Sequence, residues 1–339
     1  MSRHSHLVVG YDGSREGEGV IRWAVGEARL RRVALTICHA WRFDYPLTQM
    51  DPEWLGIIKR MAEHVLDHGV FRARTMAPTL KVNKSLLPGP ASSALLHEAD
   101  DAELIVVGKH GDGAREGPGD GHRRGHRERP AGSTAVQTAA QASCPVMVLR
   151  RTEPADGRIV VGVDGSAGGD AALAFAFEEA ALRGWHVHAV HGSRDGDFGR
   201  GGDPETLRRE AGVMLERSVS PWRDKYPQVA AWTHLMLEPP REALANAAAG
   251  AEMLVIGDRG AGGFEPLMLG SVSQAMIHHA PCTVTVAHPW RGSDEQSRRA
   301  ARADEIRRRR VGLTPFERMR LIRSLSQRPV ARPDRLEED

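Results

Sequence analysis

The chain has 339 residues, 41% of them hydrophobic and 27% charged, with a formal net charge of +2. That length is enough for two ordinary domains and a tail, each able to bury a core, and the composition is that of a soluble globular protein. The charge is too small to imply a polyanionic partner for the whole molecule, and no apolar run approaches the roughly 18 residues of a membrane span.

The first element follows almost at once. "MSRHSHLVVGYDGS" enters a strand-like run without the apolar segment of a signal peptide. Leu7–Tyr11 is expected as a strand, and Ile21, Ala24, Val25 and Ala28 then keep one helical face. "VALTICHAW" is a second strand, and Trp54, Ile58, Met61 and Val65 form the next helical stripe. "LKVNKSLL", a helix through "ASSALLHEA", "LIVVG", another helix and "PVMVL" complete a unit. After the polar stretch "RTEPADGR" the same succession runs again: Ile159–Val163, Leu173/Phe177/Ala180, "HVHAVH", Leu207–Val219, "WTHLML", Arg241–Ala249, "MLVIG", Val272–Ala280 and "TVTVA". Strands alternating with helices of this length predict βαβ units and parallel sheets covered on both faces.

The two halves are copies. "LVVGYDGS" returns as "IVVGVDGS", so Asp12 corresponds to Asp164 at an offset of 152. "LIVVGKHG" returns as "LVIGDRG" at 149, and "SCPVMVL" as "PCTVTVA" at 138. The last drop is an 11-residue insertion in the first copy, between Gly111 and Gly132. The expected divisions are a first domain over 1–152 with its enlarged loop at 112–131, a second over 157–290, and a tail over 291–339.

In open α/β sheets ligands sit beyond the carboxyl ends of the strands, at the switch point of strand order. Three features of copy two fall there: Asp164-Gly165-Ser166, Gly257-Asp258-Arg259-Gly260, and Gly270-Ser271 opening a helix. Glycines admit close approach to backbone amides, and a helix N-terminus offers unpaired N–H groups and a positive dipole end. Together these suit a phosphate chain, while a carboxylate suits ribose hydroxyls. One at a time, such glycines and serines are what any strand-to-helix turn uses. Their convergence on one rim, twice over, favours the ligand reading.

The spacing G-x2-G-x9-G-[ST] after a hydrophobic strand, with the opening V-G-x-D-G-S and a final "CPV"-like strand, resembles the universal stress protein family over residues 5 to about 289. The resemblance implies five-stranded parallel domains of order 3-2-1-4-5 that pair through their last strands, within one chain or as a homodimer. It also implies ATP binding, which many but not all members show. Carried over to copy two, adenine and ribose would meet Val163, Asp164 and the backbone of Val190. The phosphates would meet Gly257, Arg259, Gly260, Gly270, Ser271 and Val272, and an accompanying Mg2+ would meet Asp258 or Asp164. In copy one the corresponding residues are Asp12, Ala40, Gly108, Gly111, Gly132 and Ser133. There 20 residues, rich in Gly, Arg and His, separate Gly111 from Gly132 instead of nine. That loop either closes over a nucleotide or displaces the cradle, and Lys109 and His110 stand where copy two has Asp258 and Arg259.

Other signals have plainer readings. His186 and His188 share one side of a strand near His191, without a partner Cys or carboxylate at metal spacing. Cys144 and Cys282 precede the last strand of each copy, where a small thiol packs well. Cys38, Cys144 and Cys282 form no CxxC pair, which fits a reducing, cytoplasmic compartment. The tail carries 14 arginines against 9 acids and a helix signal at Thr314-Pro315-Phe316-Glu317. It is expected as a basic, partly helical segment, with nucleic-acid or anionic-membrane contact the sharper alternative to a solvated tail. No G-x4-G-K-[ST] motif, paired carboxylates or nucleophile–base constellation stands out. A nucleotide-dependent regulatory protein is therefore the leading expectation. A slow ATPase or adenylyl-transferring enzyme and an empty interaction scaffold are the alternatives.

Overall fold

The computed structural model describes residues 6–41, 52–99, 102–110, 131–150, 156–193, 203–260 and 268–289. Gly111, the enlarged loop and the tail lie outside them.

Copy one runs β1 (His6–Gly10), α1 (Arg15–Arg31), β2 (Ala34–Trp41), α2 (Pro52–Met76), β3 (Val82–Pro88), α3 (Ala91–Glu98), β4 (Ala102–Gly108), α4 (Ser133–Gln141) and β5 (Val146–Leu149). Copy two runs β6 (Arg158–Gly162), α5 (Ala167–Arg183), β7 (His186–Gly192), α6 (Pro204–Lys225), β8 (Ala231–Met236), α7 (Pro240–Ala247), β9 (Met253–Gly257), α8 (Ser271–His279) and β10 (Thr283–Ala287). Each half has the strand order 3-2-1-4-5. The two sheets are not separate, because β5 pairs antiparallel with β10 and a single ten-stranded sheet results, β3-β2-β1-β4-β5-β10-β9-β6-β7-β8. Every other pairing is parallel. Met147 faces Thr285, its own counterpart at offset 138, so a pseudo-two-fold axis passes through that pair.

The strands are apolar on both sides because both sides are covered. Leu7 and Val9 join one core with Ile21, Leu66, Phe177 and Leu215, under α1, α2, α5 and α6. Val8, between them, joins the opposite core with Leu95, Ile105, Leu244 and Ile277, under α3, α4, α7 and α8. This period of two is the alternation a strand imposes. Both cores run through the two copies without a break.

α2 corrects one expectation. It is a helix, but Trp54 and Met61 of the expected stripe are 60% and 65% exposed. The buried ridge is Ala62, Leu66, Val70, Ala73 and Ala77. Three of these five are alanines, so the face that packs is set by fit to the sheet and not by the bulkiest apolar side chains.

Ion pairs close the seam between copies. Glu27 and Glu179 are fully buried, and each pairs with both Arg31 and Arg183, the Arg31–Glu179 contact being 2.6 Å. Arg31 lies over Phe175 and Arg183 over Trp23, at 5.6 and 5.2 Å. All of these residues correspond at offset 152, so the contact is self-complementary, as a two-fold interface requires.

Candidate functional site

The rim is set by three local devices in each copy. First, the strand ends in an Asp-Gly-Ser turn that caps the next helix. Ser166 Oγ accepts from Gly169 N at 3.1 Å, and Asp164 Oδ1 accepts from Ser166 N and Oγ at 3.0 and 2.5 Å. Ser14 and Asp12 do the same in copy one, with Gly17 N to Ser14 Oγ and Ser14 N to Asp12 Oδ1 both 3.0 Å. The carboxylate is thereby aimed along the rim instead of into solvent.

Second, the turn after β9 crosses the start of α5 at backbone contact. A Cβ on Gly257 would stand 2.5 Å from the Gly168 carbonyl carbon, and one on Gly168 would stand 2.4 Å from the Arg259 oxygen. A Cβ on Gly260 would lie 2.5 Å from Asp164 Oδ2. Third, α8 is tied to that turn: Gly270 N donates to Asp258 O at 2.8 Å, and Ser273 Oγ to Gly257 O at 2.7 Å. Asp164, Gly260 and Gly270 are therefore contiguous, with Ser271 exposed at the first position of α8 and Val272 half-buried beneath it. Gly270 supplies no side-chain cap, so no side chain of its own caps the first α8 amides, which is what an anion needs.

Arg259 is less free than its sequence position implies. Its Nε and a terminal nitrogen each lie 3.2 Å from Asp258 Oδ2, a buried neighbour. Val163 and Val190 are buried at the ends of their strands. Val163 N donates to Val190 O at 3.0 Å, and their side chains enter opposite cores.

In copy one Gly132 N donates to Lys109 O at 2.9 Å, the counterpart of the Gly270–Asp258 bond. The enlarged loop thus leaves the start of α4 tied to the end of β4. An open cavity of about 340 Å3 lies here, bordered by Asp12, Cys38, Ala40, Gly108, Lys109 and Gly132. Ser133 is exposed at the first position of α4. The structural counterpart of Val190 is Cys38 and not Ala40, since Tyr11 N donates to Cys38 O as Val163 N does to Val190 O. Burial, with the Glu98 carboxylate adding to it, pushes the Cys38 thiol up to about 12. It therefore acts as a neutral apolar wall, not a nucleophile.

Two residues at the rim escape a reading based on glycines. His39 Nδ1 and His191 Nδ1 each lie 2.7 Å from the carbonyl just before the aspartate, Tyr11 O and Val163 O. The signal was present: both histidines follow their aspartate by 27 residues. The outer histidines form a separate cluster. His188 Nδ1 meets His234 Nε2 at 2.9 Å, and His186 lies edge-on to His188. Among the described residues no group of three or more His, Cys, Asp or Glu is placed to hold a metal ion, and no helix is long and apolar enough to cross a membrane.

A model of the universal stress protein family matches residues 4–150 and again 157–288. The chain belongs to the universal stress protein family. It is a tandem member, with two family domains in one chain. It is 29% identical over 294 residues to universal stress protein Rv2005c of Mycobacterium tuberculosis, covering 83% of this chain and 96% of that one. Universal stress protein Rv1996 of the same organism is 28% identical over 310 residues, covering 83% and 94%. Among solved structures, a universal stress protein from Archaeoglobus fulgidus DSM 4304 superposes with a TM-score of 0.62 at 18% identity, over 85% of this chain and all of that one. At that identity the likeness is one of fold.

Proposed function

We propose that this universal stress protein binds ATP at the strand-carboxyl rim and works through the occupied state rather than through turnover. The observation that carries the reading is the contiguity of Asp164, Gly260 and the α8 N-terminus, which offers a sugar acceptor and a phosphate cradle side by side. Copy one supports a second site of the same design. Its Asp12 and its α4 N-terminus border an open hollow of about 340 Å3, within the usual range for small-ligand clefts. Lys109 and His110 there take the place of the Asp258–Arg259 pair, so a cation stands beside the phosphates in either copy. Mg2+, if it accompanies the nucleotide, would meet Asp258 or Asp164 in copy two. With Cys38 held neutral, the described residues that border the hollow present no activated nucleophile, and this favours binding over group transfer. The three cysteines are buried thiols and form no disulfide, in keeping with a cytoplasmic setting.

Calorimetric titration of the full chain with ATP, with Mg2+ and with EDTA, tests the proposal. Saturable binding is expected, weakened about tenfold or more by Asp164→Ala or Asp12→Ala at its own site, for loss of a charge-assisted hydrogen bond. The absence of saturable binding in the wild type would sink it, and multiple turnovers of ATP to ADP would move the reading to an enzyme.

A further inference from the structure

Copy one carries a second hollow at the opposite, amino-terminal ends of its strands. A cavity of about 800 Å3 opens there, and its walls bring together Arg29 and Arg32 from the end of α1, Lys81 from the segment before β3, and His6 at the start of β1. Val33 and Leu80, both half-buried, contribute apolar wall. None of its described lining residues is acidic. Arg29, Arg32 and Lys81 make no ion pair among the described residues.

Copy two serves as an internal control. Val33 N bonds Ala28 O as Trp185 N bonds Ala180 O, and Leu35 N bonds Lys81 O as Val187 N bonds Ala230 O. By that register Arg29, Arg32 and Lys81 stand where copy two has Ala181, Gly184 and Ala230. The fold therefore needs no charge at any of the three positions.

Arg32 is also strained. Its φ is +58°, and among the described residues it is the only non-glycine in the left-handed region; Gly184 takes φ +68° at the same place. A residue other than glycine there is disfavoured by its Cβ. The negative end of the α1 dipole does not explain the basic cluster. Copy one places two arginines in that last turn, Arg29 and Arg31, against Arg183 alone in copy two, and it is Arg31 and Arg183 that are used in the buried ion pairs. Arg29 and Arg32 are additional.

We propose that this hollow is an anion-binding site of copy one for a small molecule bearing two or more phosphate groups, separate from the strand-carboxyl rim. Three permanent cations from two chain segments, the end of α1 and the approach to β3, converge on one concavity and match a charge of about three, as two adjacent phosphates carry. The apolar wall of Val33 and Leu80 would take the non-phosphate part of such a ligand. A nucleic-acid backbone would instead call for cations strung along an open face.

The test uses the full chain and sodium pyrophosphate as the probe, followed by calorimetry at two salt concentrations. Wild type is expected to bind saturably and more weakly at high salt. Arg32→Gly and Lys81→Ala, which install the copy-two residues, should each weaken binding about tenfold, as loss of a charged hydrogen bond does. Arg32→Gly relieves the backbone, so its thermal midpoint should hold or rise while binding falls. Lys225→Ala, which removes an exposed cation of copy two, should leave pyrophosphate binding unchanged. Failure of wild type to bind pyrophosphate overturns the proposal. So does wild-type affinity in the Arg32→Gly/Lys81→Ala double variant, an equal loss of binding in Lys225→Ala, or binding of a single-stranded RNA in the absence of any pyrophosphate binding.

Discussion

Gly260 is the rim glycine at which an added Cβ would meet only the Asp164 carboxylate. Its backbone φ is an ordinary one, since the left-handed glycines lie elsewhere, so adding a methyl group tests proximity alone. That methyl would stand 2.5 Å from Asp164 Oδ2, while Oδ1 is already held by Ser166 N and Oγ. The carboxylate must then turn or the exposed turn must lift. Gly260→Ala is expected to weaken ATP binding about tenfold with a stability change within about 0.5 kcal/mol, as for an exposed position. Gly257→Ala is different in kind. Its methyl meets the Gly168 backbone on a packed helix, and overpacking of that sort costs about 1–3 kcal/mol. Urea midpoints and ATP titration of both variants separate the two. Equal loss of stability in Gly260→Ala would show that the Asp164 contact is structural. At this scale the sequence was informative where chemistry is repeated, as with Asp12 and Asp164. It was mute where a residue acts through a neighbour: the repeated spacing marks His191, but nothing in the string says that it holds the carbonyl before Asp164, or that Arg259 is shared with Asp258.

Helices α4 and α8 show what the seam adds at the scale of elements. Arg150, just past β5, donates to Ile277 O and lies 3.4 Å from Met276 O, at the end of α8. His288, just past β10, bonds Ala139 O at 2.9 Å, at the end of α4. The two contacts correspond at offset 138, so each copy caps a helix of the other. Terminal carbonyls lack an intrahelical partner, and a cation there also suits the helix dipole. Arg150→Met keeps the apolar stem and removes the donors. It should cost about 2 kcal/mol, in the range of hydrogen bonds to charged groups, and should speed amide exchange at the end of α8 more than at the end of α4. Uniform acceleration across both helices would place the effect in global stability instead. The elements themselves were legible, because period and turn residues are local. Which face of α2 is buried was not, since Trp54 and Met61 outweigh Ala62 and Ala73 in hydrophobicity but not in fit. The β5–β10 pairing is non-local, and nothing in "PVMVL" or "TVTVA" itself names its partner; the expectation of pairing through the last strands came from the family resemblance alone.

For the molecule as a whole, two groups couple stability to pH in opposite directions. Burial pushes the Glu27 carboxyl up to about 7, with the Glu179 carboxylate adding to it and Arg31 and Arg183 pulling back. A raised carboxyl means that the folded state holds the proton more tightly than the unfolded chain. The ionised form therefore lowers stability fully above about pH 7, and the loss disappears below about 4.5. His188 is pushed down to about 4, by burial first and then by His234, His186 and Arg158. With both rings protonated, the two nitrogens of the His188–His234 contact would be donors facing one another. Its contribution is present above about 6.5 and lost as pH falls toward 4. The two slopes overlap and partly cancel in the wild type, so single variants are needed to expose them. Glu27→Gln should gain on wild type as pH rises from 5 to 7, by up to about 1.4 kcal/mol per pH unit for one proton. His188→Gln should lose ground over the same interval. A constant offset between Glu27→Gln and wild type is expected as well, because removing one carboxylate leaves two guanidiniums sharing Glu179, so the slope and not the offset is the readout. Urea midpoints at half-unit steps of pH give both, and a Glu27→Gln curve parallel to wild type would mean that the seam between the copies is ionised throughout.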